Sequence, residues 1–303
     1  MHLGIVTPVL IQHPSTRSEW EASADIGEIA TVAATADRLG FHHLTCSEHV
    51  AVPEEIATER GGTYWDPLAT LGYLAARTSR ILLATQVLVL GYHHPLEIAK
   101  RYGTLDRVSN GRLILGLGVG TLKQEFDLIN APFVDRGARA DDALAALRAS
   151  LSTPTPEYHG EFYDYSGFVV EPHAVQKRVP LWIGGRTKRS LRRATAHGDG
   201  WVPFGLRFSE LKEMLDATTL PDGFDVVLPA GAPLDPLGNP ESTLRALTRV
   251  RDAGATIASC SIGARNVEHY CEQLEELHRI ALTEGVAFTT SRSVNLPEQR
   301  TYP

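Results

Sequence analysis

Residues 66–120 read "DPLATLGYLAARTSRILLATQVLVLGYHHPLEIAKRYGTLDRVSNGRLILGLGVG", and a helix–strand pattern occurs in them twice in succession. Asp66 followed by Pro67 is typical of a helix start, because aspartate caps free backbone N–H groups and proline is tolerated in the first turn. The apolar run after this helix predicts a strand that is buried on both faces. The stretch predicts helices at residues 66–78 and 95–109 and strands at residues 81–90 and 112–118.

The rest of the chain continues this alternation. Further strands are predicted at residues 3–10, 41–47, 180–185, 200–204, 224–230 and 256–263. Further helices are predicted at residues 25–40, 138–151, 187–198, 209–219, 239–254 and 266–285. Strands that alternate with helices about eight times predict an α/β fold, the (β/α)8 TIM barrel, with an open doubly wound sheet as the alternative. The aromatic, turn-rich segment 153–180 predicts an inserted hairpin, and we expect a single domain over 1–303.

Composition and charge exclude several classes of protein. The formal net charge of the 303 residues is −7, and no basic block suggests a nucleic-acid partner. The first residues lack the pattern of a signal peptide, and no apolar run reaches membrane-spanning length. Cys46, Cys260 and Cys271 have no disulfide or metal spacing and fit a reducing compartment. We therefore expect a cytoplasmic protein with no membrane contact and no bound metal.

In a TIM barrel the functional residues follow the carboxyl ends of the strands. Glu48 and His49 follow the second predicted strand and are a candidate acid–base pair, although a hydrogen-bonded core histidine is an equally good interpretation. "WIGGRT" (182–187) is a candidate anion site. Its glycines let backbone approach a ligand, Arg186 can bind a phosphate with two N–H groups, and a helix begins at Thr187. A tight turn with an exposed arginine is the alternative.

The glycines of "LILGLGVGTLKQEF" (113–126) do not form a dinucleotide-binding motif. That motif requires a third glycine at position 121, where this chain has threonine, and an acidic residue at the end of a second strand about 20 positions later. Metal-dependent hydrolysis lacks support because the first strand contains no His-x-His. Serine hydrolysis lacks support because no G-x-S-x-G is present.

Several of these segments resemble one family. They are "LTCSEHV" (44–50), residues 66–90, "HPLEIAKRYGTLDRVSNGRLILGLGVG" (94–120), "HGEFYDYSGF" (159–168) and "PLWIGGRTKRSLRRATAHGDGWVP" (180–203). In this order they are similar to the bacterial-luciferase-like oxidoreductases, and particularly to the actinobacterial branch that uses coenzyme F420, a deazaflavin. The resemblance covers most of residues 1–203 and is loose beyond them. It implies a TIM barrel with a flavin-like ring in its mouth.

The resemblance also implies roles for individual residues. A non-prolyl cis peptide at Gln86-Val87 is expected to bulge against the ring, and His49 to serve as proton donor or anchor. Glu48 is expected to orient His49 or to touch the cofactor. The glycines before Thr121 are expected to let the backbone lie against the ring. The residues expected to bind the cofactor are Thr7, Gln86, Val87, Val119, Gly120, Thr121, Gly184, Gly185 and Arg186.

One departure from the family concerns Thr121. The sugar-phosphate dehydrogenase branch has an acidic residue here that acts in proton transfer, so sugar-phosphate oxidation is not expected. The leading hypothesis is hydride transfer between the deazaflavin and a small organic substrate. The alternative is a monooxygenase that uses reduced FMN, O2 and a separate reductase. A barrel that has lost its cofactor and a metal-dependent hydrolase are weaker alternatives. The resemblance implies a homodimer, and the aromatic residues of 153–180 suggest either a lid or simple hairpin packing.

Overall fold

The computed structural model describes residues 1–14 and 16–288. Its helices and strands alternate along most of the chain. They are β1 (His2–Ile5), α1 (Ile26–Leu39), β2 (His43–Cys46), α2 (Glu54–Arg60), α3 (Pro67–Arg77), β3 (Leu82–Thr85), β4 (Leu88–Val89), α4 (Pro95–Val108), β5 (Leu113–Gly118), α5 (Lys123–Leu128), α6 (Arg136–Ser150), β6 (Tyr158–His159), β7 (Asp164–Tyr165), β8 (Leu181–Gly184), α7 (Lys188–His197), β9 (Gly200–Val202), α8 (Phe208–Asp216), β10 (Asp225–Pro229), α9 (Pro240–Asp252), β11 (Ile257–Cys260) and α10 (Val267–Thr283).

Eight parallel strands close into a barrel, so the predicted (β/α)8 fold is confirmed. Their order around the barrel is β3-β2-β1-β11-β10-β9-β8-β5, and β5 pairs with β3 to complete the circle. Leu83 lies opposite Leu113 in that closing pair. The short strand β4 continues β3 beyond a break and pairs with the outer end of β5.

Local signals place the helix ends where the sequence predicts them. The carboxylate of Asp66 accepts a hydrogen bond from Ala69 N at the start of α3. Asp25 caps α1, and Gly40 ends it with a left-handed backbone (φ 81°) that glycine adopts without steric cost. These caps orient the helices, whose apolar faces cover the outside of the barrel.

Two apolar cores hold the fold together. A small cluster fills the barrel interior, and a large one lies between the strands and the surrounding helices. The interior cluster consists of Leu82, Ala84, Ile114, Trp182, Val202, Val227 and Ile257. These side chains close the barrel from within, so ligands have access only at its ends.

Some observed elements differ from the predicted ones. The first strand ends at Ile5 rather than at residue 10, and the predicted strand 81–90 is interrupted at Gln86-Val87. Helices α2 and α5 were not predicted. No residue of α2 is buried, and α5 has six residues, so neither has a clear apolar periodicity.

The segment 153–180 contains the expected hairpin, formed by β6 and β7. Asp142 on α6 holds the hairpin by accepting hydrogen bonds from Tyr158 Oη and from the N–H groups of Phe162 and Tyr163. Tyr165 is buried, and its hydroxyl hydrogen-bonds Ser150. Tyr158, Phe162 and Tyr165 therefore pack the hairpin against α6, whereas Phe168 is exposed. No aromatic residue of this segment lines the cavity at the carboxyl ends of the strands.

The expectations on domain extent, membrane contact and bound metal can be compared only with the described residues. The single domain was expected over 1–303, and its last part, residues 289–303, lies outside the described residues. Within residues 1–14 and 16–288, no helix combines the length and the apolar character needed to cross a membrane. The same residues contain no group of three or more side chains suited to hold a metal ion.

Candidate active site

A cavity of about 550 Å³ opens at the carboxyl ends of the barrel strands. Residues that follow β1, β2, β3, β5, β8 and β9 line it, as expected for the functional end of this fold. It brings together all but one of the predicted site residues. They are Glu48, His49, Gln86, Val87, Val119, Gly120, Thr121, Gly184, Gly185 and Arg186.

Thr7 is the predicted residue that does not line the cavity. It is buried between the first two strands, where its hydroxyl accepts a hydrogen bond from Thr45 N at 3.0 Å. Its own N–H donates to the hydroxyl of Thr45 at 3.3 Å. The structure therefore places Thr7 in the pairing of β1 with β2, away from the cavity wall.

The peptide bond between Gln86 and Val87 is cis, as predicted. Gln86 N donates to Cys46 O at 2.8 Å, and the hydroxyl of Ser47 donates to Gln86 O. Among the described residues, the side-chain oxygen Oε1 of Gln86 is buried and accepts no hydrogen bond. A buried acceptor without a partner, in the wall of a cavity, is suited to receive a donor from a ligand.

Glycines at and just beyond the ends of β5 and β8 leave room for side chains of the protein itself. A Cβ added to Gly118 would lie 2.7 Å from Val87 Cγ2, and one added to Gly184 would lie 2.9 Å from Val87 Cγ1. Gly120 has a positive φ of 75°, and a Cβ there would lie 2.6 Å from the ring of Phe126. The expectation that the backbone of these glycines lies against a flat ring stays a prediction.

His49 is held by the carboxylate of Glu125, a residue not predicted to belong to the site. Its Nδ1 lies 2.8 Å from Oε2 of Glu125, whose side chain is completely buried, and its ring lies edge-on to Tyr64. Tyr92 Oη donates to the same oxygen at 2.6 Å, and the N–H groups of Val50 and Ala51 donate to Oε1. Burial raises the pKa of Glu125, but the hydrogen bonds from His49 and Tyr92 and the charge of His49 hold the pKa below its ordinary value.

This pairing decides which nitrogen of His49 is available. Because an ionised carboxylate only accepts hydrogen bonds, Nδ1 of His49 carries a hydrogen that points at Glu125. Within the described residues, Nε2 has no hydrogen-bond partner, and His49 lines the cavity. Nε2 is therefore free to exchange a proton with a bound molecule.

Glu48 does not orient His49, contrary to one of the expected roles. Its carboxylate accepts hydrogen bonds from Nε2 of His93 at 2.6 Å and from Val89 N at 2.7 Å. Burial alone lowers the pKa of His93, but the hydrogen bond and the charge of Glu48 raise it above its ordinary value. Glu48 thus links the loop after β2 to the segment after β4, and a second histidine–carboxylate pair lies beside the first.

Arginines gather at the opposite side of the cavity. Arg186 and Arg189 are exposed and line it, and no hydrogen bond or ion pair links either guanidinium to the described residues. Arg136 donates to Gly120 O at 3.2 Å and lies over the ring of Phe133. Arg193 is paired with Asp141. The unpaired guanidinium groups beside Gly184 and Gly185 are suited to bind an anion.

Several residues in or behind the cavity wall carried weak or no signals in the sequence. Glu125 stands in "KQEF" directly after the glycine-rich strand, so its position at a strand end could have marked it. Arg136 and Arg189 lie at or near helix starts, where an anion site is a reasonable expectation. Tyr64 and Phe204 lie in loops and Tyr92 ends a short 3-10 helix, and no local pattern distinguishes the three from surface aromatics.

The Glu125 carboxylate also stabilises the fold, and its effect depends on pH. We expect Glu125→Gln to lower the free energy of unfolding by about 2–3 kcal/mol at pH 7, because the buried charge accepts four hydrogen bonds. Since folding lowers the pKa of Glu125, this contribution is complete above its unfolded pKa of about 4.3 and is lost as pH falls through the lower folded pKa. Urea unfolding of wild type and Glu125→Gln at pH 7 and at acidic pH measures this contribution to the free energy of unfolding.

The control for this prediction lies on the same helix. Asp127 is exposed and pairs with Lys123, so Asp127→Asn is expected to change the free energy of unfolding by less than about 0.5 kcal/mol at any pH. A difference between wild type and Glu125→Gln that stays constant from pH 7 to pH 3 would contradict the prediction.

The strand ends of the closed (β/α)8 barrel surround the cavity. Among the described residues, one nitrogen of His49 and two arginine side chains in this cavity have no partner. This arrangement is typical of the active site of a TIM-barrel enzyme. The chain belongs to the family described as luciferase-like monooxygenases, whose sequence profile matches residues 1–219. Members of this family are oxidoreductases, some of them dependent on coenzyme F420 and others on a flavin.

Three relatives illustrate the range of the family. Rv0940c of Mycobacterium tuberculosis is 28% identical over 207 residues, which cover 64% of this chain and 71% of that protein. The F420-dependent glucose-6-phosphate dehydrogenase of Nakamurella multipartita is 28% identical over 230 residues, 74% of this chain and 66% of the enzyme. The oxygenase component of the flavin-dependent trigonelline monooxygenase of Acinetobacter baylyi is 27% identical over 175 residues, 56% and 46% of the two chains.

Solved structures share the fold. The monooxygenase RslO1 from Streptomyces bottropensis superposes with a TM-score of 0.72 at 22% identity and covers 94% of this chain and 100% of its own. An F420-dependent secondary alcohol dehydrogenase superposes with a TM-score of 0.71 at 15% identity, with 92% and 98% of the two chains covered. At these identities the likeness concerns the fold alone.

Proposed function

We propose that this protein is a coenzyme F420-dependent oxidoreductase that transfers a hydride between the deazaflavin and a small organic substrate at the mouth of the barrel. The observation that carries the proposal is His49, which lines the cavity with Nε2 free while buried Glu125 holds its other nitrogen. His49 and Glu48 are the residues proposed to act at the reaction centre. Glu48 contributes by holding Val89 in the cavity wall and by accepting a hydrogen bond from His93.

The residues of the cavity fit a deazaflavin. Gln86 offers a buried, unpartnered amide oxygen to a ring N–H group. Val87, Val119 and Gly120 supply apolar side chains and backbone beside it, and the exposed hydroxyl of Thr121 lies at the rim. Gly184 and Gly185 would hold the phosphate together with Arg186. The anionic tail of the cofactor would continue toward Arg189, the second arginine without a partner on this side of the cavity.

The chain's own contribution to the reaction is proton transfer and positioning. The bound cofactor supplies the hydride, which is chemistry that no side chain provides. In its doubly protonated form, His49 would give the Nε2 proton to the substrate atom that becomes negative, and the Glu125 carboxylate at Nδ1 would stabilise the positive imidazole before this transfer. The ring of Tyr64 lies edge-on to that of His49 and covers one side of the imidazole.

A binding titration tests the proposal. We expect the purified protein to bind coenzyme F420 at least about tenfold more tightly than FMN, because F420 carries more negative charge to face the unpaired arginines. Cofactor fluorescence and absorbance measure both affinities under the same conditions. Equal or tighter binding of FMN would overturn the choice of cofactor.

The arginines give a sharper prediction. We expect the double variant Arg186→Ala and Arg189→Ala to raise the Kd for F420 by about 10–100-fold, since each lost charge-assisted contact is worth about 1–2 kcal/mol at an exposed site. The Kd for the corresponding deazaflavin without its phosphate and tail is expected to stay within about twofold. Arg245→Ala, at an exposed arginine of α9, is the matched control. Equal weakening for both ligands would contradict this assignment of the anion site.

A reduced-FMN monooxygenase is the second candidate, and the flavin-dependent relative from Acinetobacter supports it. In that case a separate reductase would supply the reduced flavin, and the same cavity would hold its ring and phosphate. Rapid O2 consumption with reduced FMN, together with tight FMN binding, would favour this function over the deazaflavin proposal.

We also propose that residues 1–303 act as one domain and that the protein is a cytoplasmic homodimer. The closed barrel supports the single domain, because the first and last barrel strands pair directly through Leu3 and Ala258. Sedimentation equilibrium tests the dimer, and a monomer at micromolar concentration would contradict it.

A further inference from the structure

We infer that His93 is a positioning residue of the active site, whose positive charge neutralises Glu48 and thereby keeps segment 87–89 in place as a wall of the cavity. This inference rests on the proposed function, because that wall lies beside the proposed cofactor. It adds the residue on which the charge of the wall depends. The contacts of Glu48 and the two carboxylates that face the ring of His93 carry it.

Glu48 holds segment 87–89 from both sides. Its backbone N–H donates to Val87 O at 3.3 Å, and Oε2 of its side chain accepts a hydrogen bond from Val89 N at 2.7 Å. Val87 and Val89 both line the cavity, as does Glu48 itself. The position of this part of the wall therefore depends on the Glu48 carboxylate.

The Glu48 carboxylate is largely buried, so its charge needs a partner. Among the described residues, His93 is the one cationic side chain within ion-pair distance, with Nε2 2.6 Å from Oε1 of Glu48. The ring of His49, the next residue in the chain, is paired with Glu125 instead. The charge of Glu48 is therefore compensated by a histidine, a side chain that can lose its proton.

The surroundings of His93 favour its doubly protonated form. Nε2 faces Glu48, and Nδ1 lies 3.6 Å from Oε1 of Glu97. A neutral imidazole keeps a lone pair on one nitrogen, and here that lone pair would point at a carboxylate. Burial lowers the pKa of His93, but the hydrogen bond and charge of Glu48 and the charge of Glu97 raise it above its ordinary value of 6.5, against an opposing effect of Arg101.

The other titratable groups near Glu48 do not change charge in the range where His93 does. Burial raises the pKa of the Cys46 thiol to about 12. It also raises the pKa of the Tyr92 and Tyr102 hydroxyls above their ordinary values. Near and somewhat above neutral pH, the net charge of this part of the wall therefore depends on the proton of His93.

Loss of this proton leaves Glu48 with an uncompensated negative charge in the cavity wall. The proposed cofactor is an anion, so its binding weakens. Since folding raises the pKa of His93, the stabilising contribution of its charge is complete below the ordinary value of 6.5. It is lost as pH rises through the higher pKa of the folded protein.

Two variants separate the charge of His93 from its shape. His93→Gln keeps a hydrogen-bond donor without charge, and His93→Arg keeps a charge at every pH. We expect His93→Gln to raise the Kd for F420 at least about fivefold at pH 7, and His93→Arg to stay within about twofold of wild type. As pH rises, the Kd of wild type divided by that of His93→Arg is expected to increase toward the value for His93→Gln. This ratio removes any titration of the cofactor itself.

His159→Gln is the matched control for these titrations. His159 also faces two carboxylates, Asp164 and Glu157, but it lies on the hairpin outside the cavity. We expect this variant to bind F420 as wild type does at every pH. Equal Kd values for wild type and His93→Gln at pH 7 would overturn the inference. Equal weakening in His93→Gln and His93→Arg would also overturn it, because the imidazole would then act by packing.

NMR of the ligand-free chain tests the inference without a cofactor. We expect the His93 ring to titrate with a midpoint above pH 6.5, and the amide of Val89 to shift with the same midpoint, since it donates to Glu48. Glu48→Gln is expected to lower the His93 midpoint by about one pH unit or more. A Val89 amide that does not follow His93 would overturn the inference even if F420 binds. If the NMR results hold and neither F420 nor FMN binds, the proposed function alone fails.

Discussion

Replacement of His49 by glutamine is expected to reduce kcat by about 100-fold or more, since positioned general acid–base groups contribute about 10²–10⁴ in rate. Glutamine can still donate a hydrogen bond from near the same place, but it cannot release a proton. The Kd for the cofactor is expected to change by less than about threefold, because His49 lies across the mouth from the arginines and glycines of the proposed phosphate end. Stopped-flow oxidation of the reduced cofactor and a parallel binding titration separate the two effects.

The control for this variant is another histidine. His159 lies on the hairpin, where its half-exposed ring pairs with Asp164 and Glu157 outside the cavity. His159→Gln is expected to leave both kcat and cofactor binding unchanged. A wild-type rate for His49→Gln would show that the proton comes from elsewhere, and His49 would then be a packing residue beside Tyr64.

Replacement of Gly116 by alanine is expected to lower the free energy of unfolding by about 3 kcal/mol or more, because overpacking against rigid backbone is costly. A Cβ at this position would lie 2.0 Å from the carbonyl oxygen of Thr85 and 3.1 Å from its carbonyl carbon. These are backbone atoms of the neighbouring strand, and the hydroxyl of Thr85 also donates to Gly116 O at 2.7 Å. The strands must separate to admit one methyl group.

Gly72 provides the matched control for this substitution. It lies within α3, and a Cβ there would have no heavy atom within 4 Å. Gly72→Ala is expected to raise the free energy of unfolding by about 0.5–1 kcal/mol, because alanine loses less backbone entropy in a helix than glycine does. Urea denaturation measures both variants. A neutral Gly116→Ala would mean that β3 and β5 can shift apart at no cost.

The alternation of strands and helices was readable from the sequence because its signals are local. Asp66 and Asp25 cap helices through atoms three or fewer residues away, and the apolar runs reflect burial that each strand experiences along its own length. The barrel fold in turn predicts that Glu48, His49, Gln86 and Gly185 lie at one end, because the carboxyl ends of parallel strands all lie at the same end of a barrel. Together with the resemblance, this was enough to predict a cis bond at Gln86-Val87.

The hydrogen-bond partners of the side chains in the barrel mouth could not be predicted from the sequence. They depend on where each strand lies around the barrel and on loops that have no periodic pattern. His49 pairs with Glu125, 76 positions away, and Glu48 pairs with His93, 45 positions away, although Glu48 and His49 are neighbours in the chain. Successive residues at a strand end point in different directions, so they meet different loops. Val87 likewise fills the space that the glycines leave, a contact made across strands.

The sequence by itself determined the barrel and the end at which its chemistry lies, since local periodicity and capping need no knowledge of distant residues. Only the tertiary structure decided which carboxylate holds His49, which nitrogen is left free and that the arginines lie away from it. Those properties arise when the closure of eight strands brings separate loops within hydrogen-bond distance of one another.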